Sequence, residues 1–326
     1  MSKTHQVTLL PGGWIGPEAC DVVVDVVAAA GVSVDWHRFD VVDELPAEVI
    51  ADARQTGLVL KGRMGAPQSR GQLPPTVALR KALGTWATVR RARAIPGAPA
   101  RFPQLDLLIV RETSEDIYAG LEHEITDGVY EAVKVTTAAA CERIARFAYA
   151  QARAQGRKKV TIVHKSNIMK KSDGLFLKTC QKVGAEHPDI QTDEVIVDAL
   201  CMKLVRWPAS FDVLLTGNLF GDIVSDLCSG LAGGLIAGAS ASIGDGAAIF
   251  ENPHGKAPVL VGTGKANPLP QLVAAVRLLR HIGEEPAANR IFDAMAGTLT
   301  AGVRTPDMGG SASTAEVRAE LLQRLG

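Results

Sequence analysis

The chain has 326 residues, enough for two domains or for one large domain built in two lobes. Lys plus Arg and Asp plus Glu both total 35, so no net field draws it onto nucleic acid or an anionic membrane, and a small-molecule ligand is the default. Five scattered cysteines, Cys20, Cys141, Cys180, Cys201 and Cys228, lack Cys-x-x-Cys spacing and support neither a zinc site nor a disulfide frame; they read as reduced thiols. The first residues run into a strand-like segment without the apolar core of a signal peptide, and no later stretch is long and uncharged enough to span a bilayer. The expectation is a soluble, cytoplasmic protein.

In chain order, 7–10 predicts a buried strand and 17–30 a helix, followed by a strand at 58–61 and a helix at 78–83. The Pro-flanked stretch 96–103 reads as a crossing between domains. Beyond it come a strand at 107–111, an extra strand pair around 128–137, a helix at 138–154, a strand at 159–164 and a helix at 173–183. Strands at 194–197 and 213–216 precede a helix at 222–231, and after a Gly- and Ala-rich tract the helical pattern returns at 272–283 and 287–296. Alternating strands and helices predict an α/β protein with a largely parallel sheet.

Four stretches carry candidate chemistry. In Thr-Gly-Asn-Leu-Phe-Gly-Asp-Ile-Val-Ser-Asp (216–226), Asp222 and Asp226 lie one helical turn apart on one face, just past a strand, where open α/β folds bind ligands. Two such carboxylates can converge on a hard cation; alone, they are equally a solvated helix face. Arg80, Arg90 and Arg111 each sit near the end of an apolar segment, where a guanidinium needs an anion, and three together suggest a polyanionic ligand. Tyr118 follows Arg111 in a loop. Lys165 sits just beyond a strand, where nearby carboxylates can tune it for acid–base work. The stretch 243–268 offers His254, flexible glycines and many backbone amides, suited to a loop wrapped round a nucleotide. No Gly-x-Gly-x-x-Gly follows the first strand, so the dinucleotide fingerprint of a Rossmann fold is missing.

Taken in order, from Ile-Gly-Pro-Glu (15–18) to Thr-Pro-Asp-Met-Gly-Gly (305–310), these stretches resemble the isocitrate and isopropylmalate dehydrogenase family of metal-dependent β-decarboxylating dehydrogenases. The resemblance implies a two-lobed α/β/α fold that is not Rossmann. A discontinuous large cofactor-binding domain would comprise 1–95 and 233–326, with an inserted small dimerisation and metal-binding domain at 96–232. It implies a homodimer with shared active sites. Asp222 and Asp226 match metal ligands of one protomer, and Asp198 matches the ligand from its partner, for Mg2+ or Mn2+. Arg80, Arg90 and Arg111 match the arginines that hold a malate-like substrate core, with Thr76 in the loop facing the variable substituent. Lys165, from the partner protomer, would help take the hydroxyl proton, and Tyr118 would protonate the enol carbon. His254, Gly255, Ala257, Val259, Leu260 and Asn267 fall in the cofactor stretch. The family distinguishes NAD from NADP just after His-Gly-x-Ala-Pro; here Val259 and Leu260 offer no cation for a 2′-phosphate, so NAD is expected, with Lys256, Lys265 and Arg304 as the cations that could favour NADP.

The chain departs from the pattern in two places. Isocitrate enzymes usually carry Ser and Asn where this sequence has Pro74 and Thr76, and Pro74 has neither hydroxyl nor N–H to offer a third carboxylate. With Arg63 and Arg70 flanking the loop and Arg91 following Arg90, a differently substituted anion, such as a homologated carboxylate or a phosphonate, fits as an alternative to isocitrate; isopropylmalate and tartrate or malate are further rivals. The motif around Tyr118 is closer to the isocitrate side. The first turn reads Gly-Gly-Trp-Ile-Gly-Pro-Glu where Gly-Asp-Gly-Ile-Gly-Pro-Glu is usual, so Trp14 adds bulk near the expected nicotinamide side. A non-catalytic regulatory subunit is the reading from another class, and the retention of eight site residues argues against it.

Overall fold

The computed structural model describes residues 3–66, 73–252 and 254–326. The chain forms two compact units: Met1–Thr85, Ala94–Pro103 and Ala232–Gly326 make the first, Trp86–Arg93 and Gln104–Leu231 the second.

The first unit opens with β1 (His5–Leu10), α1 (Gly16–Ala29), β2 (Val34–Arg38), α2 (Ala47–Thr56), β3 (Leu58–Lys61) and α3 (Pro75–Ala82). β1 pairs in parallel with both β2 and β3, and Val7, Leu9, Leu10, Val59 and Leu60 are buried, as strands covered on both faces require. The turn from β1 into α1 is tight: a Cβ on Gly12, at φ +70°, would stand 2.1 Å from the Arg63 carbonyl oxygen. Trp14 follows at φ 59°, a left-handed conformation that a bulky side chain rarely adopts.

The second unit holds β4 (Thr85–Arg93), β5 (Asp106–Glu112), β6 (Glu122–Thr126), β7 (Val129–Ala132), α4 (Ala138–Ala154), β8 (Lys159–His164) and α5 (Ser172–Gly184). β9 (Gln191–Ile196), α6 (Val197–Arg206), β10 (Val213–Thr216) and α7 (Asn218–Ala232) complete it. Its main sheet runs β4-β5-β10-β8-β9, parallel except that β4 opposes β5. β6 and β7 form a separate, exposed hairpin.

The chain then returns to the first unit with β11 (Ser240–Gly244), β12 (Ala248–Glu251), α8 (Leu269–His281), α9 (Glu285–Thr300) and α10 (Thr314–Leu325). β12 lies parallel to β3 and antiparallel to β11, giving the order β2-β1-β3-β12-β11. Val23, Val26, Leu272, Leu279, Ile291 and Leu321 knit α1, α8, α9 and α10 into its core.

Strands expected at 58–61, 159–164 and 213–216 and the helix at 138–154 have the observed limits. The helix expected at 78–83 begins earlier, at Pro75, whose fixed φ suits a first helical position. The strand expected at 194–197 starts at Gln191, and Val197 already belongs to α6. All five cysteines are free and four are buried. Among the described residues no helix is long and apolar enough to cross a membrane.

Candidate active site

β10 ends at Thr216 and α7 opens at Asn218, so Asp222 and Asp226 project from one face of a helix that follows a strand directly. Arg111 on β5 lies opposite Thr88 of β4, and Arg90 opposite Ile109, which makes the two arginines diagonal neighbours on one sheet face. Two rungs result: Arg90 Nη1 donates to Asp226 Oδ1, and Arg111 Nη1 to Asp222 Oδ1. Arg111 also donates to Asn218 Oδ1 through Nε at 3.0 Å and Nη2 at 2.7 Å. The Tyr118 ring stacks over the Arg111 guanidinium at 5.3 Å, and its hydroxyl donates to Asp222 Oδ2 at 2.7 Å. Burial, and then the Asp222 carboxylate, push the Tyr118 hydroxyl above its ordinary pKa, so it is a proton donor at neutral pH. The rungs are lopsided: the Arg90 and Arg111 side chains are only 10% and 12% exposed, whereas those of Asp226 and Asp222 are 73% and 47% exposed.

Two residues before Tyr118, Asp116 adopts φ 77°, ψ −154°, a region otherwise kept by glycine. It is buried, and its carboxylate accepts from the N–H of Ile117 at 2.8 Å and of Leu219, in the first turn of α7, at 3.0 Å. Lys134 bridges Asp116 at 3.4 Å and Asp173 at 2.9 Å, and Asp173 accepts the Lys165 N–H at 2.6 Å. The Tyr118 segment, α7 and the Lys165 turn are therefore tied through one half-buried lysine. Lys165 Nζ pairs with Asp198 at the start of α6, and that hydrogen bond holds the Asp198 carboxyl below its usual range. Among the described residues no group of three or more His, Cys, Asp or Glu is placed to hold a metal, so one chain does not bring Asp198 to Asp222 and Asp226.

In the first unit, Arg80 donates to Glu251 on β12, and Lys61 at the end of β3 pairs with the other oxygen of the same carboxylate. Burial would raise the Glu251 carboxyl, but the two cations overcome it and hold it well below its usual range. Thr76 lies in the first turn of α3. His254 is 4% exposed; its Nδ1 meets the Gly255 carbonyl oxygen at 3.0 Å and its Nε2 has no partner among the described residues. Ala257, at φ 46°, turns the chain into a short 3-10 segment at Pro258–Leu260, where Val259 is 82% exposed. Asn267 Nδ2 donates to Asp307 at 2.9 Å, and its Oδ1 accepts from Leu269 N–H at 3.0 Å.

One expected charge is placed otherwise. Arg91 does not add to the positive field beside Arg90: adjacent strand residues face opposite ways, and Arg91 makes a bidentate pair with Asp106, at 2.7 and 2.6 Å. Arg70, Gly71 and Gln72 of the substrate loop lie outside the described residues. Sequence reasoning did not find Glu251, Asp116, Lys134 or Asn218. Glu251 stands 190 residues from Lys61, and only a registered β3–β12 pair brings them together. Asn218, the first residue of the helix that carries Asp222, is the one with a readable signal, a polar residue at a helix start.

Two α/β units, with guanidinium–carboxylate rungs at the carboxyl ends of β5 and β10 in one of them, define an α/β scaffold of the kind that takes an acidic ligand. The comparisons with known proteins make this specific. The chain belongs to the isocitrate/isopropylmalate dehydrogenase family, whose model matches residues 6–321. It is 41% identical over 319 residues to catalytic subunit 5 of the mitochondrial NAD isocitrate dehydrogenase of Arabidopsis thaliana, covering 95% of this chain and 85% of that protein. It is also 41% identical over 329 residues to one of the regulatory subunits of the mitochondrial NAD isocitrate dehydrogenase of Dictyostelium discoideum, covering 99% and 93%. The crystal structure of an isocitrate dehydrogenase from Methylococcus capsulatus matches with a TM-score of 0.91 at 40% identity, covering 98% of this chain and 99% of that one. Fold and family are those expected from the sequence, and oxidative decarboxylation of a hydroxy acid is the chemistry of the family.

Proposed function

We propose that this chain is a catalytic β-decarboxylating dehydrogenase that converts an isocitrate-like 3-carboxy-2-hydroxy acid to a 2-oxo acid and CO2 while NAD is reduced. The observation that carries the reading is the pair of rungs, two largely covered arginines facing two exposed aspartate side chains. An ion pair of this geometry can be exchanged: substrate carboxylates replace the aspartates at Arg90 and Arg111, and a cation replaces the guanidinium groups at Asp222 and Asp226. The all-oxygen donors and the exposure of both aspartates fit a hard divalent ion, Mg2+ or Mn2+, with Asp198 of a second copy completing the set. Lewis-acid polarisation of the ketone oxygen, and stabilisation of the charge left as CO2 departs, is what such an ion contributes. Tyr118, kept protonated, delivers its proton to the carbon vacated by CO2. Lys165 of the second copy helps take the hydroxyl proton.

The shared site is supported by the surfaces around it. The β6–β7 hairpin exposes Ile125, Val129 and Tyr130, and α6 with the following turn exposes Met202, Val205 and Trp207. A two-stranded hairpin without cover is marginal in water, so a second copy of this chain is the partner that suits it. NAD is favoured because Val259 brings no cation to the cofactor loop and because NAD is the cofactor in the relatives' names. A regulatory role, as named for the Dictyostelium relative, leaves the placement of Arg90, Arg111, Tyr118, Asp222 and Asp226 without a purpose.

A second reading concerns the substrate. Pro74 and Pro75 open α3 without an N–H and without a side-chain cap, so the usual partners of a third carboxylate are gone and a homologated carboxylate or a phosphonate fits in its place. A panel of isocitrate, homoisocitrate, isopropylmalate, tartrate, malate and phosphonomethylmalate, each with NAD or NADP and Mg2+ or Mn2+, tests both readings. Metal-dependent NAD reduction with an isocitrate-like acid is expected. Turnover with none of them would sink the catalytic assignment, and a higher kcat/KM with NADP would reverse the cofactor reading.

A further inference from the structure

Trp14 has no role in the chemistry above, yet it holds a left-handed backbone conformation at φ 59° in the turn from β1 to α1. A bulky residue persists there only when its surroundings over-determine it, and such outliers concentrate at ligand sites. Its ring carries the Lys256 ammonium 4.7 Å from the centroid, a cation–π contact between that turn and the loop after His254. The segment after β3 meets both. Gly13 N–H donates to the Arg63 carbonyl at 3.0 Å, and a Cβ on Gly62 would stand 2.2 Å from the Pro11 carbonyl oxygen and 3.5 Å from His254 Nε2.

Three independent features at this junction call for a ligand with anionic and hydrogen-bonding groups. Lys256 and Arg63 are exposed cations that make no ion pair among the described residues. His254, almost wholly buried, is held below its ordinary pKa by burial first and then by Lys61 and Arg63, so it is neutral. With Nδ1–H donating to Gly255, its Nε2 is left as an acceptor without a donor among the described residues. Backbone alone closes the floor, since Gly12 and Gly62 admit no side chain.

We propose that Trp14, Lys256 and Arg63 form the seat of the dinucleotide's diphosphate, with the Trp14 ring fixing Lys256 so that its ammonium faces the phosphate oxygens. This rests on the reading of the His254 loop as the cofactor loop. Trp14 is a positioning residue, and Lys256 and Arg63 are the anion-binding groups.

Isothermal titration of NAD, ADP-ribose and adenosine into the full chain tests it, with KM and kcat for NAD measured alongside. Lys256→Met should weaken NAD and ADP-ribose by about tenfold or more and leave adenosine unchanged, the loss appearing in KM rather than kcat. Trp14→Gly, which also relieves the strained φ, should show the same loss, and the double variant should be no weaker than either single one. Trp14→Phe should retain most of the affinity, and raising the salt should narrow the gap between Lys256→Met and the parent. Unchanged NAD binding by Lys256→Met, or losses that multiply in the double variant, would overturn the clamp alone. A parent chain that bound neither NAD nor NADP would overturn the cofactor reading as well.

Discussion

In the first unit the Glu251 carboxylate is sealed between Lys61 and Arg80 with 9% of its side chain exposed, whereas Asp222 and Asp226 in the second unit meet their arginines with about half or more of theirs in solvent. The same ion-pair chemistry thus serves two ends. A buried acid between two cations cannot exchange partners without stranding charge in a low dielectric. An exposed acid can release a guanidinium to substrate and take up another cation at little loss, because solvent already screens it.

The contrast can be broken by separating activity from stability. The largest effect should come from the exposed set: Lys165→Met lowers kcat by about 10²–10⁴-fold as expected of a lost acid–base group. Asp226→Asn also abolishes most turnover with saturating metal and substrate, while its unfolding free energy falls by less than that of Glu251→Gln, because the carboxylate it loses is already solvent-screened. Normal turnover in either variant would break the assignment. Next, Glu251→Gln should lose about 3–5 kcal/mol in urea unfolding, because the buried Lys61 ammonium remains without its counter-charge. A stability equal to that of the parent would erase the distinction between the units.

The smallest effect is a pH dependence. Burial would raise the Asp106 carboxyl, but Arg91 and Arg157 overcome it and hold it at about 2. A depressed folded value stabilises the protein above the unfolded pKa of about 3.9 and is lost as pH falls through the folded one. The stability gap between the parent and Asp106→Asn should therefore be full above about pH 4 and close towards pH 2; a gap independent of pH would rule this out. Glu251 is depressed in the same direction, so its contribution too is lost only on acidification.

Much of this was legible in the sequence because it is local. Asp222 and Asp226 share a helix, and the apolar runs of β3, β8 and β10 carry no competing pattern. What was not legible is set by strand register. Arg90 and Arg91 look equivalent in a line of letters, yet the pleat sends one to Asp226 and the other to Asp106. Glu251 looked like one acid in a Gly-rich tract until β12 was placed beside β3. β11 and β12 themselves escaped notice because they are short and lie among glycines, and α10 did so although its Ser313–Glu316 capping box was there to be read.

The buried Asp116 carries one more consequence. Its two carboxylate oxygens hold the N–H of Ile117 on one side and that of Leu219 on the other, so the phenol of Tyr118 and the first turn of α7 hang from a single bracket. If α7 shifts by a fraction of an ångström as ligands come and go, the phenol travels with it. The distance from proton donor to carboxylate is then a dimension of the bracket, insulated from the motion of everything around it.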